Sequence, residues 1–80
     1  MSTSREDIRA WLRDGKARGK THLVVVCDTW DHDDYPVECE SKEAAKALVR
    51  NPGSMQRVME VYNLSMDLES QLAEHRAYNL

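Results

Sequence analysis

At 80 residues the chain has room for one domain, residues 1–80, and not for two independent cores. Charged residues at 31% and hydrophobic ones at 41% exclude a disordered tail, and a formal net charge of −3 argues against indiscriminate attraction to nucleic acid. No run approaches the roughly 20 apolar residues that span a bilayer, and the first seven residues lack the apolar core of a signal peptide, so no membrane contact and a cytoplasmic location are expected.

A domain of this size buries only about two-thirds of the surface its unfolded chain exposes, which makes assembly into a homo-oligomer an expected source of stability. Phenylalanine is absent, so the core falls to Val, Leu and Ala with four Met, two Trp and three Tyr. Cys27 and Cys39 are expected as reduced thiols in a cytoplasmic setting.

In chain order, Ser4 followed three residues later by Asp7 marks a helix start, with a side-chain cap and a carboxylate at the positive dipole end. Ile8, Trp11 and Leu12 recur at helical spacing, leaving Arg5, Arg9 and Arg13 toward solvent. Gly15 weakens this pattern and Gly19 ends it. Lys16, Arg18 and Lys20 complement the negative end of the helix dipole. The same region, through Arg9, Arg13, Lys16 and Lys20, is also a candidate site for a small anionic ligand.

Residues 22–30 are β-branched and apolar on both alternating faces through Val26, which predicts a central strand covered on both sides. Residues 35–40 instead alternate, with Tyr35, Val37 and Cys39 on one face and Pro36, Glu38 and Glu40 on the other; Pro36 lacks an N–H and places this strand at an edge. Matching apolar faces predicts a hairpin with Leu23, Val25, Cys27 and Thr29 beside Tyr35, Val37 and Cys39. That register sets Cys27 opposite Cys39 and Thr29 opposite Val37, and leaves a loop at 31–34. A cross-strand disulfide becomes conceivable, with a reduced pair favoured in cytosol. The remaining face, Val24, Val26 and Trp30 with Glu38 and Glu40, calls for either a helix or a second copy of the chain.

Ser41 caps a helix over Lys42–Arg50 whose alanines permit close packing on the sheet, and Asn51-Pro52-Gly53 stops it. Ser54 then opens a third helix through Tyr62, with Met55, Val58, Met59 and Tyr62 along one face. Ser65, Asp67 and Glu69 start a last, mostly charged helix with Leu68 and Leu72 as its apolar stripe, expected to lie across the domain or a partner. The fold class is therefore α+β: a small αββααα domain with an antiparallel β-hairpin packed against helices, with extension by dimerisation as an option.

The densest polar cluster surrounds the hairpin tip, where Asp28, Asp31, His32, Asp33 and Asp34 fall together between Trp30 and Tyr35. Turn chemistry explains it most simply, because Asp bonds nearby backbone N–H groups. The alternatives are a partner- or ligand-contacting tip, with Trp30 and Tyr35 stacking on a planar group, and a divalent-metal site, although the glycine and distal Glu of a calcium loop are missing. Cys27 and Cys39 fall on inward strand positions unsuited to nucleophiles, and His22, His32 and His75 are too scattered to pair as metal ligands. The three glycines at 15, 19 and 53 form no phosphate loop, which excludes the common nucleotide-hydrolysing and dinucleotide folds.

The stretches Lys20-Thr-His-Leu-Val-Val-Val-Cys-Asp-Thr-Trp-Asp-His-Asp-Asp-Tyr-Pro-Val37 and Met55-Gln-Arg-Val-Met-Glu-Val-Tyr-Asn-Leu64 resemble a group of small uncharacterised proteins encoded by bacteria and bacteriophages. The resemblance covers most of the chain and implies a phage or prophage setting; it assigns no activity to any residue. With it, the expected function is a non-enzymatic, homo-oligomeric binding protein without cofactor, which occludes a host protein or sequesters a small anionic or nucleotide-like ligand. The competing reading is a metal-dependent phosphoryl hydrolase or nuclease built on Asp28, Asp31, Asp33 and His32.

Overall fold

Ser4 starts the first helix with the reciprocal bonds its spacing predicts. Its Oγ accepts from the Asp7 N–H at 3.1 Å and the Asp7 carboxylate accepts from the Ser4 N–H at 3.1 Å. The computed structural model describes residues 3–74 and 76–80; His75, read from the sequence as part of the last helix, lies outside them. The elements run α1 (Arg5–Ala17), β1 (His22–Asp28), β2 (Asp33–Cys39), α2 (Lys42–Arg50), β3 (Gln56–Asn63) and α3 (Leu68–Ala73). The three strands form one antiparallel sheet in the order β2-β1-β3.

The α+β class, the hairpin and its flanking helices are as the sequence predicts, and α2 has the expected bounds and the expected Ser41 cap. β1 is the central strand, buried along its length from His22 to Cys27. One face of the sheet packs Leu23, Val25 and Tyr62 with Leu64 against Ile8 and Leu12 of α1 and Leu72 of α3. The other packs Val24, Val26, Val61 and Cys39 against Ala45, Leu48 and Val49 of α2. The face that called for a helix or a second copy is thus covered by α2. Gly15 lies where α1 comes closest to the sheet: a Cβ there would stand 3.1 Å from Cδ1 of Leu64.

Residues 54–62 do not form a helix. Gln56–Asn63 is the third strand, paired along β1. The register slips between Val25 and Val26, so that Val25 faces Glu60 while Val26 faces Val58, and Met59 is the extra residue of a β-bulge. A bulge breaks the two-residue alternation: Val58 and Val61 both reach the α2 face, while Met59 and Tyr62 reach the α1 face. The resulting spacings of three and four imitate helical periodicity.

The hairpin register also differs from the face-matched one. Cys39 pairs with His22, Val37 with Val24, Tyr35 with Val26 and Cys27 with Asp34. Because both faces of β1 are apolar, apolar matching cannot select between them; the turn does. Residues 29–32 close a short loop between Asp28 and Asp33, with the Trp30 N–H donating to the Asp28 carboxylate at 2.9 Å, the His32 N–H donating to the Asp28 carbonyl, and His32 at φ 59°. Cys27 and Cys39 therefore sit five positions apart along the hairpin on opposite faces. At about 3.4 Å per residue that is roughly 17 Å, beyond disulfide reach, and both are free thiols.

The last helix is six residues long rather than reaching Tyr78, and its cap is Asp67 rather than Ser65. The chain then extends so that the Val61 N–H donates to the Ala77 carbonyl at 2.9 Å and the Asn79 N–H to the Val61 carbonyl at 3.0 Å, a parallel bridge on the outer edge of β3. Gln71, 1% exposed, holds this corner. Its Oε1 accepts from the Asn63 N–H (2.8 Å) and Asn79 Nδ2 (3.2 Å), and its Nε2 donates to the carbonyls of Asn63 (2.9 Å) and Asp67 (3.1 Å). Gln71→Met keeps the volume and leaves these groups unpaired, so it is expected to destabilise by about 2–3 kcal/mol and to lower the melting midpoint by roughly 10–20 °C in a circular-dichroism melt.

Candidate functional site

Several basic residues of α1 and its following loop are taken up in ion pairs with carboxylates. Arg9 grips Glu69 of α3 with two bonds, Nε to Oε2 at 2.9 Å and Nη2 to Oε1 at 2.8 Å, and also pairs with Glu6. This arginine holds the Glu69 carboxyl below the usual carboxylate range. Arg18 pairs with Glu38 of β2, and Lys20 with Glu40 at 3.0 Å. Arg13 and Lys16 are exposed and enter no ion pair among the described residues. Arg9 thus ties α1 to α3, with the Arg13 charge also acting on Glu69, while Lys20 ties the α1–β1 loop to the β2–α2 loop.

The hairpin tip does gather most of its predicted residues. Trp30 is 74% exposed, and Asp31, His32 and Asp33 are exposed beside it. The Asp28 carboxylate is engaged by the Trp30 N–H, as turn chemistry predicts. The Thr29 N–H donates to the Met55 carbonyl at 2.9 Å, which ties the tip to the loop before β3 and brings exposed Met55 to the same end of the sheet. Tyr35 and Asp34 leave this group: Tyr35 packs under α2, and Asp34 sits on the opposite face beside Cys27. Trp30 and Tyr35 therefore do not form a cross-strand aromatic pair. Among the described residues, no three of His, Cys, Asp and Glu are placed to hold a metal ion.

Neither thiol is disposed to act as a nucleophile. Burial pushes both up, and for Cys27 a hydrogen bond with Asp34 adds to the effect, so the thiolate is suppressed near neutral pH. His22 is buried at the start of β1; Nδ1 shares a hydrogen bond with Thr21 Oγ1 at 2.8 Å, and Nε2 has no partner among the described residues.

A cleft of about 490 Å³ opens between the first turn of α1 and the sheet, and sequence reasoning did not find it. Thr3, Arg5 and Ile8 form one wall, and Val25, Met59 and Glu60 form its floor. Asp34 and Arg76 complete the lining. Glu60 is only 8% exposed and is held by Arg5, whose Nη1 donates to both carboxylate oxygens at 3.1 and 3.2 Å and to Tyr62 Oη at 3.0 Å. The Tyr62 hydroxyl in turn donates to Glu60 Oε1. Reading 54–62 as a helix hid this group, since a strand sets Glu60 and Tyr62 on one face. The available signal was a carboxylate two residues before a tyrosine in a β-branched run, with an arginine in the first helical turn.

No protein-family profile, curated protein or solved structure matches the chain.

Burial raises the ionisation of Tyr62 well above its ordinary value of about 10, and the bond to Glu60 raises it further. Because the folded-state value lies above the unfolded one, Tyr62 contributes stability that is fully present below pH ~10 and is lost as pH rises through the folded-state value. Absorbance titration at the phenolate band is expected to show a late-ionising step that Tyr62→Phe removes, together with about 1 kcal/mol of lost stability at neutral pH. A late step that survives the substitution would contradict this network.

Proposed function

We propose that the chain is a non-enzymatic binding protein whose working end is the β1–β2 tip, where Trp30 is presented beside the exposed carboxylates of Asp31 and Asp33 to a basic protein surface. The exposure of Trp30 carries this reading: tryptophan is the residue type most enriched at binding hot spots, and here three-quarters of it faces water. The tip is preorganised by the two bonds to Asp28 and the one from Thr29 to Met55, so little conformational entropy remains to be lost on docking.

Asp31 and Asp33 set the sign of the partner. Their charge speeds encounter with a Lys/Arg-rimmed apolar pocket and opposes nucleic acid. A tip-to-tip homodimer would set these carboxylates against one another, which favours a different protein as the partner. In the phage or prophage setting implied by the resemblance, that partner is a host protein. The buried, protonated thiols are in keeping with a binding rather than a catalytic role.

The test is a quantitative pull-down from bacterial lysate with the wild-type chain, Trp30→Ala and Asp31→Asn/Asp33→Asn, each first shown to melt like wild type. A protein retained by the wild type is expected to bind about 30-fold more weakly to Trp30→Ala, as for a hot-spot loss of about 2 kcal/mol, and to dissociate with added salt. Retention that is indifferent to Trp30 and to the two aspartates would refute the proposal.

A further inference from the structure

The cleft beneath α1 is chemically unlike the tip, and its charges are arranged in sequence across the sheet. Asp34 stands on β2, one edge strand; Arg76 immediately precedes the segment docked along the far side of β3. β1 and β3 lie between them, so their backbones are three strand spacings apart, roughly 14 Å. The long arginine stem closes part of that span. Neither residue enters an ion pair among the described residues.

Between these margins the polar groups are already satisfied. Arg5 and Glu60 neutralise each other, and the Tyr62 hydroxyl completes their hydrogen bonding. The remaining lining is Thr3 and Ile8 from above and Val25 and Met59 from below, so aliphatic surface is interrupted by one hydroxyl. One margin thus carries Asp34, with Arg57 on the other side of Cys27, the middle is neutral overall, and the other margin carries Arg76. A simple anion paired with Arg76 would leave Asp34 without a counter-charge, and a simple cation paired with Asp34 would leave Arg76 without one. A purely apolar molecule would leave both charges desolvated without compensation.

We propose that this cleft binds a small zwitterion whose ammonium and carboxylate groups lie at opposite ends of an aliphatic body, the ammonium at Asp34 and the carboxylate at Arg76. The volume lies within the range of small-molecule sites and accommodates a ligand of amino-acid to short-peptide size. Arg76 suits the carboxylate because its planar fork can donate two parallel bonds. The Arg5–Glu60–Tyr62 group supplies a rigid polar floor that needs no contribution from the ligand.

The probe is ε-aminocaproate, with hexylamine and hexanoate as single-charge controls, titrated into the isotopically labelled full chain and followed by amide chemical shifts. Saturable shifts are expected around Asp34, Met59 and Arg76, with each control binding at least tenfold more weakly. Asp34→Asn and Arg76→Gln are each expected to weaken the zwitterion at least tenfold without moving the melting midpoint. Trp30→Ala is expected to leave this titration unchanged, which separates the cleft from the tip. Absence of saturable shifts, equal binding of either control, or indifference to both substitutions would overturn the proposal.

Discussion

The bulge opposite Val25 is the constraint on which the rest of the structure depends. A regular third strand would place Val58, Glu60 and Tyr62 on one face and Met59 and Val61 on the other. The inserted Met59 changes that assignment: Val58 joins Val61 under α2, and Met59, Glu60 and Tyr62 turn together toward α1. Two consequences follow from one residue. The α2 face acquires an uninterrupted aliphatic lining, and the α1 face acquires a carboxylate close enough to Arg5 to be neutralised within the fold. Without the shift, Glu60 would share its face with Val58, and the aliphatic layer beneath α2 would lose a member.

Burying Glu60 is tolerable only because its partners arrive from elements distant in sequence. Arg5 comes from the first turn of α1, where the Ser4–Asp7 box sets the helix start, and Tyr62 is two residues further along the same strand. A buried carboxylate with one partner removed costs several kcal/mol, whereas the full group is close to neutral in its net effect. The network therefore adds less to stability than to specificity: it ties the N-terminal turn of α1 to β3 across the sheet. The bulk of stability comes from β1, whose two faces serve two separate layers.

The parts of this fold legible in the sequence are those decided by local chemistry. Ser4 with Asp7, and Ser41 with Glu43, announce helix starts because a side-chain oxygen beside unsatisfied N–H groups has few other uses. The continuous apolar run at Leu23–Val26 announces a central strand for the same kind of reason. What was not legible depends on a partner strand. Spacings at Val58, Met59 and Tyr62 are helical on paper, and only the facing Val25–Val26 pair shows them to be a bulged strand. The hairpin register is not decided by apolar matching, because both faces of β1 are apolar and the Asp28 turn sets it. At the candidate site, the acidic tip could be read from the run of aspartates, but not the exposure of Trp30, since the strand ends at Asp28 rather than Trp30; the cleft needs β3 to exist before Glu60 and Arg5 can meet.

The sheet edges bear on how such a chain can engage anything. The outer edge of β2 carries Pro36, which cannot donate a hydrogen bond, with Asp34 and Glu38 on either side; the outer edge of β3 is occupied at Val61 by residues 77–79. Both edges are thereby blunted against the addition of a foreign strand, the usual defence of a small open sheet. Recognition by backbone pairing is closed off at these positions, and side chains are left to carry it. One end of the sheet combines exposed apolar surface, Trp30 and Met55, with a loop held by its own hydrogen bonds. The edge positions at Pro36 and Val61 are shielded, while Trp30 is left in water on a turn held by its own hydrogen bonds.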